Sequence, residues 1–249
     1  MRLGRIAGIA RSLAIYYGVP LRARRLSRLY APFVARGALS FDVGAHAGNH
    51  VRCWRALGAR VVAIEPQPDF VRILERLFGN DPAVSIVPAA VGREEGSAEL
   101  LVSERTPTVT TLSRDWIERV GATPAFHRVE WERGPTVPVT TLDALIARFG
   151  EPAFVKIDVE GLELAVLEGL SRPVRALSFE YLPAARDIAL GCIDRLGALG
   201  RYSFNWSVGE THRLVEPAWL DAGAMHVRLV ALPDGARSGD VYARRADAG

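Results

Sequence analysis

Asp42, Asp158 and Glu180 each stand at the end of a short apolar run of the kind that forms a buried strand, and Lys156 stands two residues before Asp158. Residues two apart on a strand share a face. Lys156 is the single lysine among 31 lysines and arginines, so the position calls for a compact ammonium rather than a guanidinium. Three acids and a lysine are costly to bury unless they neutralise one another or hold a ligand cation. Two kinds of chemistry are open to Asp158 in such a cluster. It can take the proton of a substrate hydroxyl as general base, or it can orient the amino group of a bound cofactor while proximity drives the reaction. Lys156 and Glu180 join it as candidate catalytic residues.

The elements that hold these groups begin with Leu39-Ser40-Phe41-Asp42-Val43, an apolar strand that runs into a turn at Gly44 and a helix opened by Gly48 and Asn49. A dinucleotide-binding turn needs G-x-G-x-x-G to admit a pyrophosphate. Here His46 occupies the middle glycine position and Asp42 closes the strand, so phosphate is repelled. The acid suits a cofactor with a cationic amino-acid end, such as S-adenosylmethionine. Asp42, Gly44, His46, Gly48 and Asn49 are therefore candidate cofactor-binding residues, with Asp158 beside them. Glu65 ends the second strand, Arg60 to Glu65, about 20 residues beyond the turn, where a doubly wound fold puts an acid on ribose hydroxyls. His46 and His50 are four apart, a weak pointer to a metal site with Asp158. The turn gives His46 a simpler use, and no metal is assigned.

Phe41-Asp42-Val43-Gly44-Ala45-His46-Ala47-Gly48 resembles the first motif of the FkbM family of S-adenosylmethionine-dependent methyltransferases. Thr141-Leu142-Asp143 with Phe154-Val155-Lys156-Ile157-Asp158-Val159-Glu160-Gly161-Leu162-Glu163 resembles the same family's second signature, which is far more specific than a glycine turn. The resemblance covers residues 39 to 181, and His46 stands where the family more often has Asn. It implies a class I methyltransferase (Rossmann-like) fold, S-adenosylmethionine as cofactor, and methyl transfer to a hydroxyl oxygen of a sugar or secondary metabolite. The rivals are a nicotinamide-dependent oxidoreductase, disfavoured by the missing middle glycine, and a non-catalytic cofactor-fold module that binds an anionic partner.

Strand and helix patterns alternate through most of the 249 residues, which predicts an α/β, doubly wound, mainly parallel sheet. Residues 1–38 read as an N-terminal helical cap in two segments broken at Gly18-Val19-Pro20, and residues 39–249 as the catalytic domain. Ala98 to Val102 and Phe126 to Trp131 read as inserted antiparallel strands around a threonine-rich loop, Ser103 to Ser113, of the kind that covers a substrate. A helix from Ala218 to Leu229 precedes a last strand, Asp240 to Arg244, that closes the sheet. Glu160 and Glu163 complement a helix start, and Trp116, Trp131, Tyr181 and Trp206 are core residues before they are sugar-stacking ones.

The net charge of +3 hides an asymmetry, because eight arginines from Arg2 to Arg36 precede the first acid, Asp42. Such a run is a solvated helix face or a weak contact for an anionic membrane or a phosphorylated carrier. No nucleic-acid motif accompanies it. Cys53 and Cys192 make no disulfide framework and no run reaches the length of a membrane span, which together predict a cytoplasmic protein.

Overall fold

The computed structural model describes residues 20–124 and 126–246 together with Arg5 and Gly8. The first expected N-terminal helical segment, with Arg2, Arg11 and the Gly18-Val19 break, lies outside the described residues. The second is α1 (Pro20–Tyr30). There follow β1 (Leu39–Val43), α2 (Asn49–Ala56), β2 (Arg60–Ile64), α3 (Pro68–Phe78), β3 (Val84–Val87), β4 (Ala90–Val91) and β5 (Gly96–Val102). The second half comprises α4 (Arg114–Gly121), β6 (Glu132–Thr140), α5 (Leu142–Phe149), β7 (Phe154–Ile157) and α6 (Glu163–Glu168). It ends with β8 (Ala176–Tyr181), α7 (Arg186–Leu199), β9 (Tyr202–Trp206), α8 (Ala222–Val230) and β10 (Gly239–Arg245).

Seven strands form the main sheet in the order β3-β2-β1-β7-β8-β10-β9, and β10 alone runs antiparallel to its neighbours. The chain thus adopts the doubly wound α/β architecture of class I methyltransferases. Strand order reverses between β1 and β7, and a ligand crevice opens at their carboxyl ends. Alternation along the strands sorts the residues by face. Phe41, Val43, Val155 and Ile157 join one apolar cluster, covered by α5 and α7. The other face presents Ser40, Asp42, Lys156 and Ser178 in a row, with Asp42 opposite Lys156 and Lys156 opposite Ser178. Leu26, Leu29 and Tyr30 of α1 cover that face with Trp54 and Phe154, the Tyr30 ring edge-on to both at 5.3 Å. Among the described residues no helix is long and apolar enough to cross a membrane.

Four local readings need correction. Phe126 to Arg128 form a turn and Val129 to Trp131 irregular chain, and Phe126 and Trp131 pack on Trp116 of an unforeseen helix, α4, whose start Ser113 caps by accepting the Trp116 amide. The second inserted strand is instead β6, which runs through Arg133, Gly134 and Pro135. Proline is tolerated there because β4 reaches only Val139 and Thr140, so the rest of β6 has β5 on one side and a free edge on the other. The small sheet is also mixed, since β4 pairs with β6 in parallel. At the C-terminal end α8 starts at Ala222, capped by Asp221, because Leu220 is engaged in a bridge to Phe204. Finally, β10 does not close the sheet at an edge but lies between β8 and β9.

Candidate active site

Where β1 ends, the backbone of Gly44 turns with φ +82°, and a Cβ built there would lie 1.9 Å from the carbonyl oxygen of Asp158. The Asp158 amide donates to the Val43 carbonyl at 3.0 Å, so the ends of β1 and β7 are pressed together without a side chain between them. His46 follows with φ 47°, and its amide donates to Glu65 Oε2 at 2.8 Å, while the Gln67 amide donates to Oε1 at 2.8 Å. Each carboxylate oxygen has a second acceptor site left over. Gly48 is constrained differently, because its Cβ would meet Phe78 and Leu74 of α3 and it lines neither of the cavities described next.

Two cavities open at this end of the sheet. The narrower, of about 270 Å³, runs from Gly44, His46 and Glu65 past Ala89 and Ala90, under Thr108 to Leu112 of the threonine-rich loop. That loop is tied down at both ends: Gln67 Nε2 donates to the Pro107 carbonyl at 3.3 Å, and Thr111 Oγ1 to the Glu160 carbonyl at 2.7 Å. Gln67 is itself held by Arg5, whose Nη2 donates to Oε1 at 2.8 Å while Nε pairs with Asp69 at 3.1 Å. Arg5 is thus buried against the site and does not belong to an exposed basic face. The wider cavity, of about 550 Å³, is bordered by Asn49, His50, Lys156, Phe126, Arg237 and Asp240. Gly44, His46, Asp158, Glu160, Glu180 and Glu210 line both.

The shared wall is acidic. One carboxylate oxygen from each of Asp158, Glu160 and Glu180 lies within 4.8 Å of the others, close enough to share a cation. Lys156 Nζ donates to Asp158 Oδ2 at 2.6 Å. Asp240 faces Glu180 across the β10–β8 ladder. Burial works against the charged Lys156, but Asp158, Asp240 and Asp42 outweigh it and its pKa is raised. Burial also lifts Asp42 to about 7 and Asp240 to about 6, each held back by Lys156. Glu65 rises to about 7 by burial against the pull of its two backbone amides. Glu160 and Glu180 are pushed well above the usual carboxylate range by burial and then by the neighbouring acids.

Asp42 is fully buried and lines neither cavity. Neither of its oxygens has a close hydrogen-bond partner among the described residues; the Val51 amide exerts a weak stabilising pull on the carboxylate, and His50 Nδ1 is 3.9 Å away. Its nearest influence is on Lys156, opposite it in register, so direct contact with a ligand, as the sequence suggested, is not what the geometry offers. His46 precedes α2 rather than lying on it, its ring packs on Phe70 at 3.7 Å, and burial lowers its pKa to about 4. The four-residue spacing to His50 is therefore not a helical pair of ligands. Glu163 accepts the amides of Val159 and Gly161 at 3.1 Å and fixes the turn that holds Glu160 at φ 54°. Trp116, Trp131, Tyr181 and Trp206 line neither cavity.

Sequence reasoning did not single out Glu210 or Asp240, and gave Glu160 only a helix-start role. Two of them owe their places to long-range strand pairing. Glu210 follows β9, a strand parallel to β1, and Asp240 begins the antiparallel β10, so both belong at the end where parallel strands finish.

The raised carboxyl pKa values predict an unusual pH dependence of stability. The unfolded acids titrate near 3.8 to 4.5, whereas Asp42, Glu65 and Glu163 titrate at about 7 in the folded chain. Between those values the folded state holds protons the unfolded chain has lost, so their stabilisation is lost as pH rises through about 7. His46 opposes this between about 4 and 6.5, but it is one group against several. Calorimetry of the ligand-free protein should find a higher melting temperature at about pH 5.5 than at about pH 8. The reverse order would contradict the buried-acid description.

The Methyltransferase FkbM domain family matches residues 42–187. The hexuronic acid methyltransferase AglP of Haloferax volcanii is 30% identical over 143 residues, which cover 56% of this chain and 52% of that protein. The match thus takes in about half the length of that relative. Among solved structures, the O-methyltransferase from Bacillus cereus in complex with SAH aligns over 96% of this chain and 90% of its own, at 15% identity and a TM-score of 0.46. The precorrin-6y C5,15-methyltransferase from Geobacter metallireducens aligns over 91% and 88%, at 11% identity and a TM-score of 0.47. Because the family match spans more than half of the chain and runs from the β1 acid past β8, this protein belongs to the FkbM family of S-adenosylmethionine-dependent methyltransferases.

Proposed function

We propose that the protein moves the methyl group of S-adenosylmethionine to a hydroxyl oxygen of a sugar or sugar-bearing acceptor. The observation that supports this reading is the acidic wall common to the two cavities. The cofactor supplies an electrophilic methyl on a sulfonium centre. In this reading the narrower cavity takes the cofactor, with Glu65 accepting from the ribose and the backbone at Ala89 and Ala90 beside the adenine. The wider cavity takes the acceptor. A hydroxyl is a weak nucleophile until its proton leaves, and Asp158, Glu160 and Glu180 give that wall several carboxylates able to receive it. Lys156 sits behind Asp158 as counter-charge, and Asp42 supports Lys156 from the neighbouring strand. The hexuronic acid acceptor in the name of the Haloferax relative supports a sugar in the same role.

The test is mass spectrometry of candidate sugars and cell extracts incubated with the enzyme and methyl-labelled cofactor. A product heavier by one methyl on oxygen supports the proposal; methylation on nitrogen or carbon replaces it.

Glu65 offers a narrower check. Glu65→Ala should weaken cofactor binding by roughly 1–3 kcal/mol in calorimetric titration. Glu65→Gln would be mild if the ribose contact were its whole duty, but both its oxygens already accept backbone N–H groups. An amide nitrogen must then face one of those donors, so this variant should lose affinity comparably and also melt earlier. Unchanged affinity in both variants removes Glu65 from the site.

A further inference from the structure

On the face covered by α1, a groove of about 540 Å³ is lined by Arg28, Arg175, Arg213, Arg244 and Arg245, and no Asp or Glu appears among its described lining residues. Its floor is apolar, with Phe33 and Trp219 in edge contact at 6.0 Å. The arginines come from four separate parts of the chain: α1, the residue before β8, the segment after β9 and the end of β10. The fold therefore gathers the charge here; it is not a run of sequence. Arg28, Arg175 and Arg213 have no acidic partner among the described residues. Arg244 is held by stacking over Trp219 at 4.2 Å and by Nε donating to Ser203 Oγ at 3.3 Å. Those contacts leave its terminal nitrogens as donors in a fixed position.

Arg28, Arg175 and Arg213, without carboxylate partners among the described residues and converging on one concavity, favour an anion that accepts several hydrogen bonds at once, and phosphate oxygens match that fork geometry. Carboxylate partners are plentiful elsewhere: Arg55 has Asp81, Arg93 has Glu168 and Arg119 has Asp187. His212 lines both this groove and the wider acidic cavity. We propose that the arginine groove binds a phosphate or diphosphate group. If the acceptor reading holds, the group belongs to the acceptor: the acidic wall repels it while the groove past His212 retains it. Binding itself does not depend on that reading.

Titration of the full chain with inorganic pyrophosphate at low salt tests the site without methyl transfer. Saturable binding is expected in the wild type, weakened roughly tenfold or more when Arg28, Arg175 and Arg213 are changed to Gln. A control with Arg60, Arg76 and Arg128 changed to Gln removes the same charge elsewhere and should bind as the wild type does. A single Arg175→Glu variant gives the same reading should the triple variant fold poorly. Absence of saturable binding by the wild type, or equal loss in the control, overturns the proposal. Vesicles containing phosphatidylglycerol identify the source of the phosphate. Sedimentation with them that pyrophosphate reverses assigns the group to a lipid, and pyrophosphate binding without sedimentation assigns it to a soluble molecule.

Discussion

Gly44→Val should abolish cofactor binding and also lower stability, and the second effect is what the structure adds to a glycine-turn argument. The residue sits at φ +82°, which a branched side chain adopts only under strain, and its Cβ would stand 1.9 Å from the Asp158 carbonyl oxygen. Strain and overpacking each cost about 1–3 kcal/mol. Neither is relieved by a rotamer change, because the obstacle is backbone. The only escape is to part β1 from β7, and that moves Asp158 and the narrower cavity together. Gly48→Ala is the informative contrast. Its Cβ would meet the Phe78 ring and the Leu74 methyl, which belong to side chains that can shift, and Gly48 lines neither cavity. It should melt earlier yet bind cofactor nearly as the wild type does. Chemical denaturation and calorimetric titration on both variants separate the effects. Wild-type affinity in Gly44→Val would put the cofactor somewhere else.

The contrast between those glycines illustrates what the sequence can and cannot convey. Gly44, Glu65 and Asp158 are readable because each follows or ends an apolar run, and a parallel sheet brings strand ends together by rule. Lys156 and Asp158 need only the two-residue period of a strand to meet, and they do so at 2.6 Å. Asp42 stands on the expected strand, but its side chain is fully buried and lines neither cavity. It points to the face under α1, beside Lys156. Glu210 and Asp240 depend on β10 running backwards between β8 and β9, a long-range pairing that no local pattern announces. The same limit hid α4 and the turns around Phe126, where aromatic residues packing on one another outweighed a strand-like spacing. The arginines were visible as a count. That Arg28 shares a groove with Arg175, Arg213 and Arg244 required the fold.

Asp158→Asn should lower turnover at a fixed, subsaturating cofactor concentration whichever of its two roles it performs, by roughly 10²–10⁴-fold where it is the general base. Asp158 lines both cavities and has one oxygen engaged by Lys156 at 2.6 Å, which leaves the other to meet either an acceptor hydroxyl or the cofactor's ammonium. The asparagine keeps the shape and removes the charge, so the roles separate cleanly in two measurements on one preparation. As general base, its loss appears in the single-turnover rate at saturating cofactor, with cofactor affinity nearly intact. As ammonium partner, its loss appears in affinity, and saturation restores much of the rate. Glu180→Gln sharpens the choice, because Glu180 brings a second carboxylate within 4.8 Å of Asp158 in the same wall. A rate defect in Glu180→Gln with an affinity defect in Asp158→Asn assigns the proton to Glu180. Lys156→Met should be the least stable of the three, since it leaves Asp42, Asp158 and Asp240 without the buried cation they surround, a kind of loss that costs about 3–5 kcal/mol. Wild-type rate and affinity in both carboxylate variants would remove this wall from the chemistry altogether.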